Sequence, residues 1–116
     1  MASELDLRRD VRTPMLFGPL LLNKDGRALA QVADLSSHGA LLHARSGLFS
    51  CGETVSGWIQ SSAVDKDDEI VVVVALEVRW ITEDHEKGWS RVGCEMRPLD
   101  SRSKARLRSL IAKAAP

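Results

Sequence analysis

The segment EIVVVVALEVRWIT, from Glu69 to Thr82, has the strongest β-strand pattern in the chain. Successive side chains of a strand point to opposite faces, and β-branched and aromatic residues suit a pleated, half-buried surface. The face predicted to be buried carries Ile70, Val72, Val74, Leu76, Val78 and Trp80. Glu77 and Arg79 mark the solvent face. The segment therefore predicts one long strand in the wall of a sheet.

Shorter strands are predicted on both sides of this segment. Upstream, two apolar stretches flank the turn sequence Asn23–Gly26, whose Asp-Gly pair favours a hairpin. Downstream, a stretch after the turn at residues 83–88 pairs back onto the long strand, with Val92, Cys94 and Met96 facing inward. The six predicted strands are residues 15–22, 27–34, 40–44, 53–60, 69–82 and 89–96.

A helix is predicted after Pro98, which ends the sheet. Asp100 or Ser101 can cap its amino end. Its apolar positions follow helical spacing, and they are Leu107, Leu110, Ile111 and Ala114. The opposite face carries Arg102, Lys104, Arg106 and Arg108. Six short strands and one terminal helix predict a mainly β fold, a six-stranded antiparallel β-barrel with a C-terminal α-helix.

The composition indicates one globular domain and excludes general binding of polyanions. The chain has 116 residues, 44% of them hydrophobic and 28% charged, and its formal net charge is zero. An anion site must therefore be a local concentration of arginine. Cys51 and Cys94 are too few and too far apart for a disulfide framework, so a reducing cytoplasm is expected. Residues 15–22 are too short and too interrupted for a secretion signal, and no stretch reaches transmembrane length.

Two polar segments are candidates for binding an anionic ligand. Arg8 and Arg12 form an R-x-x-x-R spacing just before Thr13-Pro14, and each guanidinium can hold a phosphate or a guanine edge through two hydrogen bonds. The second segment, Asp34 to Gly39, reads D-x-S-x-x-G. An ionised Asp34 only accepts hydrogen bonds, which suits the N–H donors of guanine. Because a hairpin places the start of its first strand beside the end of its second, the residues before Pro14 should lie near Asp34.

Each segment alone also has a purely structural interpretation. The arginines can belong to a solvated terminal arm. Asp34 and Ser36 can close a turn, with Gly39 supplying a φ that other residues avoid.

In combination, the two segments resemble the signature of the PilZ domain, a bacterial receptor for cyclic di-GMP. The stretches Gly26–Ala33, Ala40–Leu42, Val78–Ile81 and Val92–Met96 also look like strands of that family, so the resemblance covers most of residues 7–112. Met96 departs from the pattern, since many relatives carry an aromatic residue there.

The resemblance implies a site for cyclic di-GMP at Arg8, Arg12, Asp34, Ser36 and Gly39. Leu7, Arg9, Ser37 and His38 are secondary candidates. It implies a flexible N-terminal arm at residues 1–13 and a PilZ-type barrel with its helix at residues 14–116. Leu7 offers no guanidinium for a second stacked ligand, so one ligand per chain is expected.

The implied function is that of a cytoplasmic, non-enzymatic receptor with no cofactor. On binding the nucleotide, the arm becomes ordered and the signal passes to an unidentified effector protein that controls motility, pili, biofilm or exopolysaccharide. The alternative is a nucleotide-independent protein–protein adaptor on the same fold.

The sequence does not favour catalysis, metal binding or nucleic-acid binding. Asp34, Ser36 and His38 are crowded within one turn and cannot line up as a catalytic triad. The histidines and cysteines match no metal-ligand spacing. Only five aromatic residues are present, and most are needed in strands, so no nucleic acid polymer is expected as a partner. Membrane insertion is not expected either.

Overall fold

The computed structural model describes residues 13–14, 18–61, 69–84 and 87–114. These residues form seven β-strands followed by one α-helix. In chain order they are β1 (Thr13–Pro14), β2 (Leu20–Leu22), β3 (Ala28–Leu35), β4 (Gly39–Arg45), β5 (Thr54–Gln60), β6 (Val71–Glu83), β7 (Trp89–Met96) and α1 (Ser101–Ala114).

Six of these strands close into a ring. Neighbouring strands follow the order β3-β2-β5-β6-β7-β4, and β4 pairs back onto β3. Every pairing is antiparallel. The two-residue β1 adds to β3 beyond the end of β2. The predicted six-stranded antiparallel barrel with a C-terminal helix is confirmed.

The long strand β6 contains a bulge that the sequence did not predict. Val72, Val74, Leu76 and Val78 are buried as predicted. The register with β7 then shifts between Val78 and Trp80, and Trp80 is 37% exposed. The prediction that Trp80 faces the core is wrong, because the extra residue reverses the alternation of faces.

The predicted first strand, residues 15–22, is shorter than expected. Of this range, residues 15–17 lie outside the described part of the chain. Gly18 has a φ of 57°, which is not an extended conformation, and β2 begins only at Leu20.

The turn between β2 and β3 agrees with the prediction. The Gly26 N–H donates to the Asn23 carbonyl, and the Asn23 side chain accepts from the N–H groups of Asp25 and Arg27, each at 2.9 Å. Gly26 has a φ of 82°, as this loop requires.

Strand β5 passes very close to β2. Val55, Gly57 and Ile59 face inward, while the intervening residues are more exposed. A Cβ atom on Gly57 would overlap the backbone carbonyl oxygen of Leu22. A glycine is therefore required here by the approach of another backbone.

Helix α1 completes the core. The Asp100 carboxylate accepts a hydrogen bond from the Ser103 N–H at 2.7 Å, so Asp100 is the N-cap. Leu107, Leu110 and Ala114 are buried, and Ile111 packs against the core. The predicted basic residues of the opposite face are exposed.

Candidate functional site

Strand β1 joins the two candidate segments of the sequence. Thr13 pairs with Leu35, and Pro14 pairs with Asp34. The backbone that follows residue 12 therefore begins directly beside Asp34. The predicted proximity of the two segments is confirmed for the backbone at Thr13 and Pro14.

A second bulge turns Asp34 away from the barrel interior. On the β4 side, the register of β3 shifts between Val32 and Asp34, which leaves Ala33 as the extra residue. Val32 is buried on the inner face, and Leu35 rather than Asp34 is the next interior residue. Asp34 is half-buried, at the position where β1 and β4 flank β3.

The hairpin that links β3 to β4 is built by the Ser36 side chain. Ser36 is only 3% exposed, and its hydroxyl oxygen accepts hydrogen bonds from the N–H groups of His38 and Gly39, both at 3.2 Å. The Ser36 N–H donates to the Gly39 carbonyl at 2.9 Å. Ser36 thus fixes the backbone between Asp34 and Gly39.

The remaining residues of the hairpin are fixed by their neighbours. Ser37 and His38 are exposed, and the Ser37 hydroxyl lies 3.3 Å from Nδ1 of His38. The His38 carbonyl accepts from the Met96 N–H at 2.8 Å, which ties the hairpin to the end of β7. Gly39 is buried and does not have a positive φ, so the interpretation that it supplies an unusual φ is wrong.

A row of paired residues crosses the outer surface from Asp34 to Trp80. Asp34 pairs with Leu41, Leu41 with Gly93, and Gly93 with Trp80. The indole of Trp80 lies directly over Gly93, where a Cβ atom would overlap it. Sequence reasoning missed Trp80 as a surface residue. The signal that could have revealed it is Gly93, because a glycine inside an apolar strand indicates close approach by another group.

The two rows beside this one carry opposite charges: Arg91 pairs with His43 and Thr82 on one side, and Glu95 lies on the other. In the adjacent row, Gly39 pairs with Glu95, and Glu95 pairs with Glu77. Arg79 donates to the Glu95 carboxylate at 2.9 Å and lies 3.4 Å from that of Glu77. The hydrogen bond to Glu95, together with both negative charges, raises the pKa of Arg79 above its ordinary value. Two carboxylates of this row, those of Glu77 and Glu95, thus engage the one guanidinium of Arg79.

The predicted site residues thus divide into two groups. Asp34, Ser36 and Gly39, with the secondary candidates Ser37 and His38, lie within one β3–β4 hairpin. Arg8 and Arg12, with the secondary candidates Leu7 and Arg9, lie outside the described residues.

The described ranges hold neither a metal-binding cluster nor a membrane-spanning helix. They contain no cluster of three His, Cys, Asp or Glu side chains arranged to hold a metal ion. The one helix in these ranges lacks the length and apolar character needed to cross a membrane.

Comparison with solved structures shows the fold. The chain is similar to MrkH of K. pneumonia in its apo state, with a TM-score of 0.65 and 15% sequence identity. The superposition covers 92% of this chain and 51% of that one. A P2(1) crystal of the same protein gives a TM-score of 0.64 at 14% identity, covering 92% and 49%. The chain therefore spans about half the length of these proteins.

Comparison with protein families shows the relationship that the two segments suggested. No curated protein matches the sequence. The model of the PilZ domain matches residues 6–113, nearly the whole chain. The chain belongs to the PilZ domain family.

Proposed function

We propose that this chain is a receptor for cyclic di-GMP and that Arg8 and Arg12 hold the ligand against Asp34, Ser36 and Gly39. The observation that carries the proposal is the pairing of Pro14 with Asp34. Arg12 lies two residues before Pro14 in the sequence, and Arg8 lies one R-x-x-x-R spacing further back. A short arm that starts at β1 has the reach to fold over the β3–β4 hairpin.

The charge of the barrel surface supports a role for the arm. The Arg79 guanidinium is already engaged by the carboxylates of Glu77 and Glu95, so it is not available to a phosphate. We assign the cations that offset the phosphates to the arm. Arg8 and Arg12 supply two planar guanidinium groups suited to phosphate or to the O6/N7 edge of guanine.

Each hairpin residue has a distinct proposed task. The Asp34 carboxylate accepts hydrogen bonds from N1–H and N2–H₂ of a guanine. Ser36 acts through its hydrogen bonds to the N–H groups of His38 and Gly39, which keep the hairpin in one conformation. Gly39 has no side chain to block the ligand from the backbone. The Trp80 indole, three strand pairings from Asp34, offers an apolar flank to the same surface.

Binding is proposed to act as a signal without catalysis. An arm that becomes ordered over the hairpin changes the surface that an effector protein meets. Motility, pili, biofilm and exopolysaccharide are the candidate outputs. The cytoplasm is the proposed location, because Cys51 and Cys94 lie far apart in the sequence and two cysteines fit a reducing compartment.

The proposal is tested by calorimetric titration of the chain with cyclic di-GMP and with cyclic di-AMP. Adenine lacks the N1–H and N2–H₂ donors that Asp34 would accept, so only the guanine dinucleotide should bind tightly. Asp34→Asn keeps the size of the side chain and removes its charge. It should reduce the binding free energy of cyclic di-GMP by about 1.5–3 kcal/mol. Equal binding of both dinucleotides would remove the proposed role of Asp34. No binding of either would favour the nucleotide-independent adaptor.

A further inference from the structure

The outer face of β2, β5 and β6 carries an apolar row. Leu22 pairs with Trp58, and Trp58 pairs with Val73, so the three side chains are adjacent on one surface. Val73 is 68% exposed and Leu20, two residues before Leu22, is 36% exposed. An aliphatic residue this exposed in the middle of a barrel strand contributes nothing to the core.

The row is separate from the hydrophobic core. The partly buried apolar residues that pack against the core do not include Leu22, Trp58 or Val73. The inward residues of the same strands, such as Leu21 and Ile59, are fully buried. Contiguous exposed apolar surface of this kind is typical of sites that bind another protein.

Helix α1 places positive charge at the edge of this row. Arg102 and Arg106, one helical turn apart, line a groove together with Val71 and Val73. Within the described ranges, Arg106 makes no hydrogen bond or ion pair, and Arg102 is close only to Asp100, the helix cap. The groove continues past Arg106 toward Ser109, where Glu69 adds one carboxylate.

All charged residues of helix α1 are basic. It contains five basic residues and no acidic one in a chain whose formal net charge is zero. These basic residues are Arg102, Lys104, Arg106, Arg108 and Lys113. Arg102 and Arg106 are the two of them that line the groove beside Val73.

The middle strand of this face, β5, lies opposite β4 of the candidate nucleotide site. In the ring order, β5 is three strands away from β4 in either direction. A ligand on the β3–β4 hairpin would therefore leave the apolar row uncovered.

We propose that the surface formed by Leu20, Leu22, Trp58, Val73, Arg102 and Arg106 docks a segment of a partner protein that carries an apolar side chain next to carboxylates. The apolar side chain would pack on the row, and the carboxylates would pair with the two guanidinium forks. A nucleic acid would use the arginines but would gain little from an exposed valine and leucine, so an acidic protein segment fits the whole surface better. The inference goes beyond nucleotide binding and does not depend on it.

The test is selection of short random peptides displayed on phage against the immobilised full chain. Enriched peptides are synthesised and titrated by fluorescence anisotropy. We expect an apolar residue flanked by Asp or Glu in the enriched sequences. Two variants should each lower the affinity for such a peptide by about tenfold or more. They are Val73→Asp and the double variant Arg102→Glu/Arg106→Glu. Arg108→Glu is the matched control, because Arg108 is exposed on the same helix and does not line the groove.

A charge exchange gives the sharpest outcome. The same peptide with its acidic residues replaced by Lys should bind the Arg102→Glu/Arg106→Glu variant better than it binds the natural chain. The inference is overturned by the absence of enrichment, by enriched peptides without acidic residues, or by equal effects of the control and groove variants. It is also overturned if an oligonucleotide displaces the peptide and loses affinity in the same variants, which would assign the face to nucleic acid. Titration of Val73→Asp with cyclic di-GMP should show unchanged binding, so the two proposals fail separately.

Discussion

Pro14 and Asp34 lie directly opposite each other on two antiparallel strands, β1 and β3. The chain therefore enters the barrel beside Asp34, the residue predicted from the sequence to recognise guanine. β1 has only two residues, Thr13 and Pro14, so this pairing is local. It sets the point at which residue 12 joins the barrel.

Ser36→Ala should both destabilise the barrel and weaken its binding of cyclic di-GMP. The substitution leaves the N–H groups of His38 and Gly39 without the hydroxyl that accepts from them, in a buried position. The expected loss in the free energy of unfolding is about 1–3 kcal/mol. Urea denaturation measures it, with Ser37→Ala as the control because Ser37 is exposed. Equal stability of the two variants would contradict the structural role of Ser36.

Gly93→Ala should displace the Trp80 indole from its place over β7, in the row that begins at Asp34. An added Cβ overlaps that ring, which can swing away, so the expected loss of stability is about 1–2 kcal/mol. Tryptophan fluorescence and denaturation report the change. In a Trp80→Ala background the same substitution should cost much less, since the atoms nearest to the added Cβ belong to the removed indole. If the cost is the same in both backgrounds, Trp80 does not cover Gly93.

Gly57→Ala should be more destabilising than Gly93→Ala. Its Cβ meets the Leu22 carbonyl, a backbone atom of a paired strand that cannot move without breaking the β2–β5 ladder. We expect a loss of about 3 kcal/mol in the free energy of unfolding. Ser56→Ala, at the exposed neighbouring position, is the control and should change stability little. A reversed order of the two glycine variants would contradict the packing described for β2 and β5.

The strand pattern of the sequence was sufficient to predict the barrel but not its two bulges. Alternating apolar residues identify Val72, Val74, Leu76 and Val78 as inward-facing, because the alternation arises when one face of a strand is buried. A bulge depends on the partner strand, and nothing within β6 itself distinguishes Trp80 from the inward residues before it. The partner residue Gly93 carries that information, and single-strand periodicity does not use it.

The candidate site was predictable to a similar extent. The hairpin logic of the sequence correctly placed the backbone at Thr13 and Pro14 beside Asp34. It could not predict that Ser36 is buried, because a serine hydroxyl serves equally well as a turn acceptor or as a ligand donor. Which of these it does depends on hydrogen bonds to His38 and Gly39 that form only when the hairpin is closed.

Acid should weaken a carboxylate–hydroxyl cluster at the far end of the barrel. Glu83 accepts hydrogen bonds from Ser90 at 2.6 Å and from Ser46 at 3.0 Å, and these bonds, first that of Ser90, hold the pKa of Glu83 below its ordinary 4.5. Because the folded pKa is the lower one, the stabilisation is present above pH 4.5 and is lost as the pH falls through the folded pKa.

The melting temperatures of the natural chain and of Glu83→Gln are measured from neutral pH down to below pH 4.5. The natural chain should be the more stable at neutral pH, and the difference should shrink as acid protonates Glu83. Glu69→Gln, at an exposed residue that makes no hydrogen bond within the described ranges, is the control and should show no such trend. A difference that is constant or grows in acid would contradict the assignment.

In the proposed complex, the arm carrying Arg8 and Arg12 closes on the Asp34 hairpin around cyclic di-GMP. Calorimetric titration of Arg8→Ala and Arg12→Ala tests it most directly, with Arg27→Ala as a control at the opposite end of β3. We predict saturable binding with one ligand per chain, weakened by about 1.5–3 kcal/mol in each arm variant and unchanged in the control. Binding to both arm variants with the affinity of the natural chain would contradict the claim.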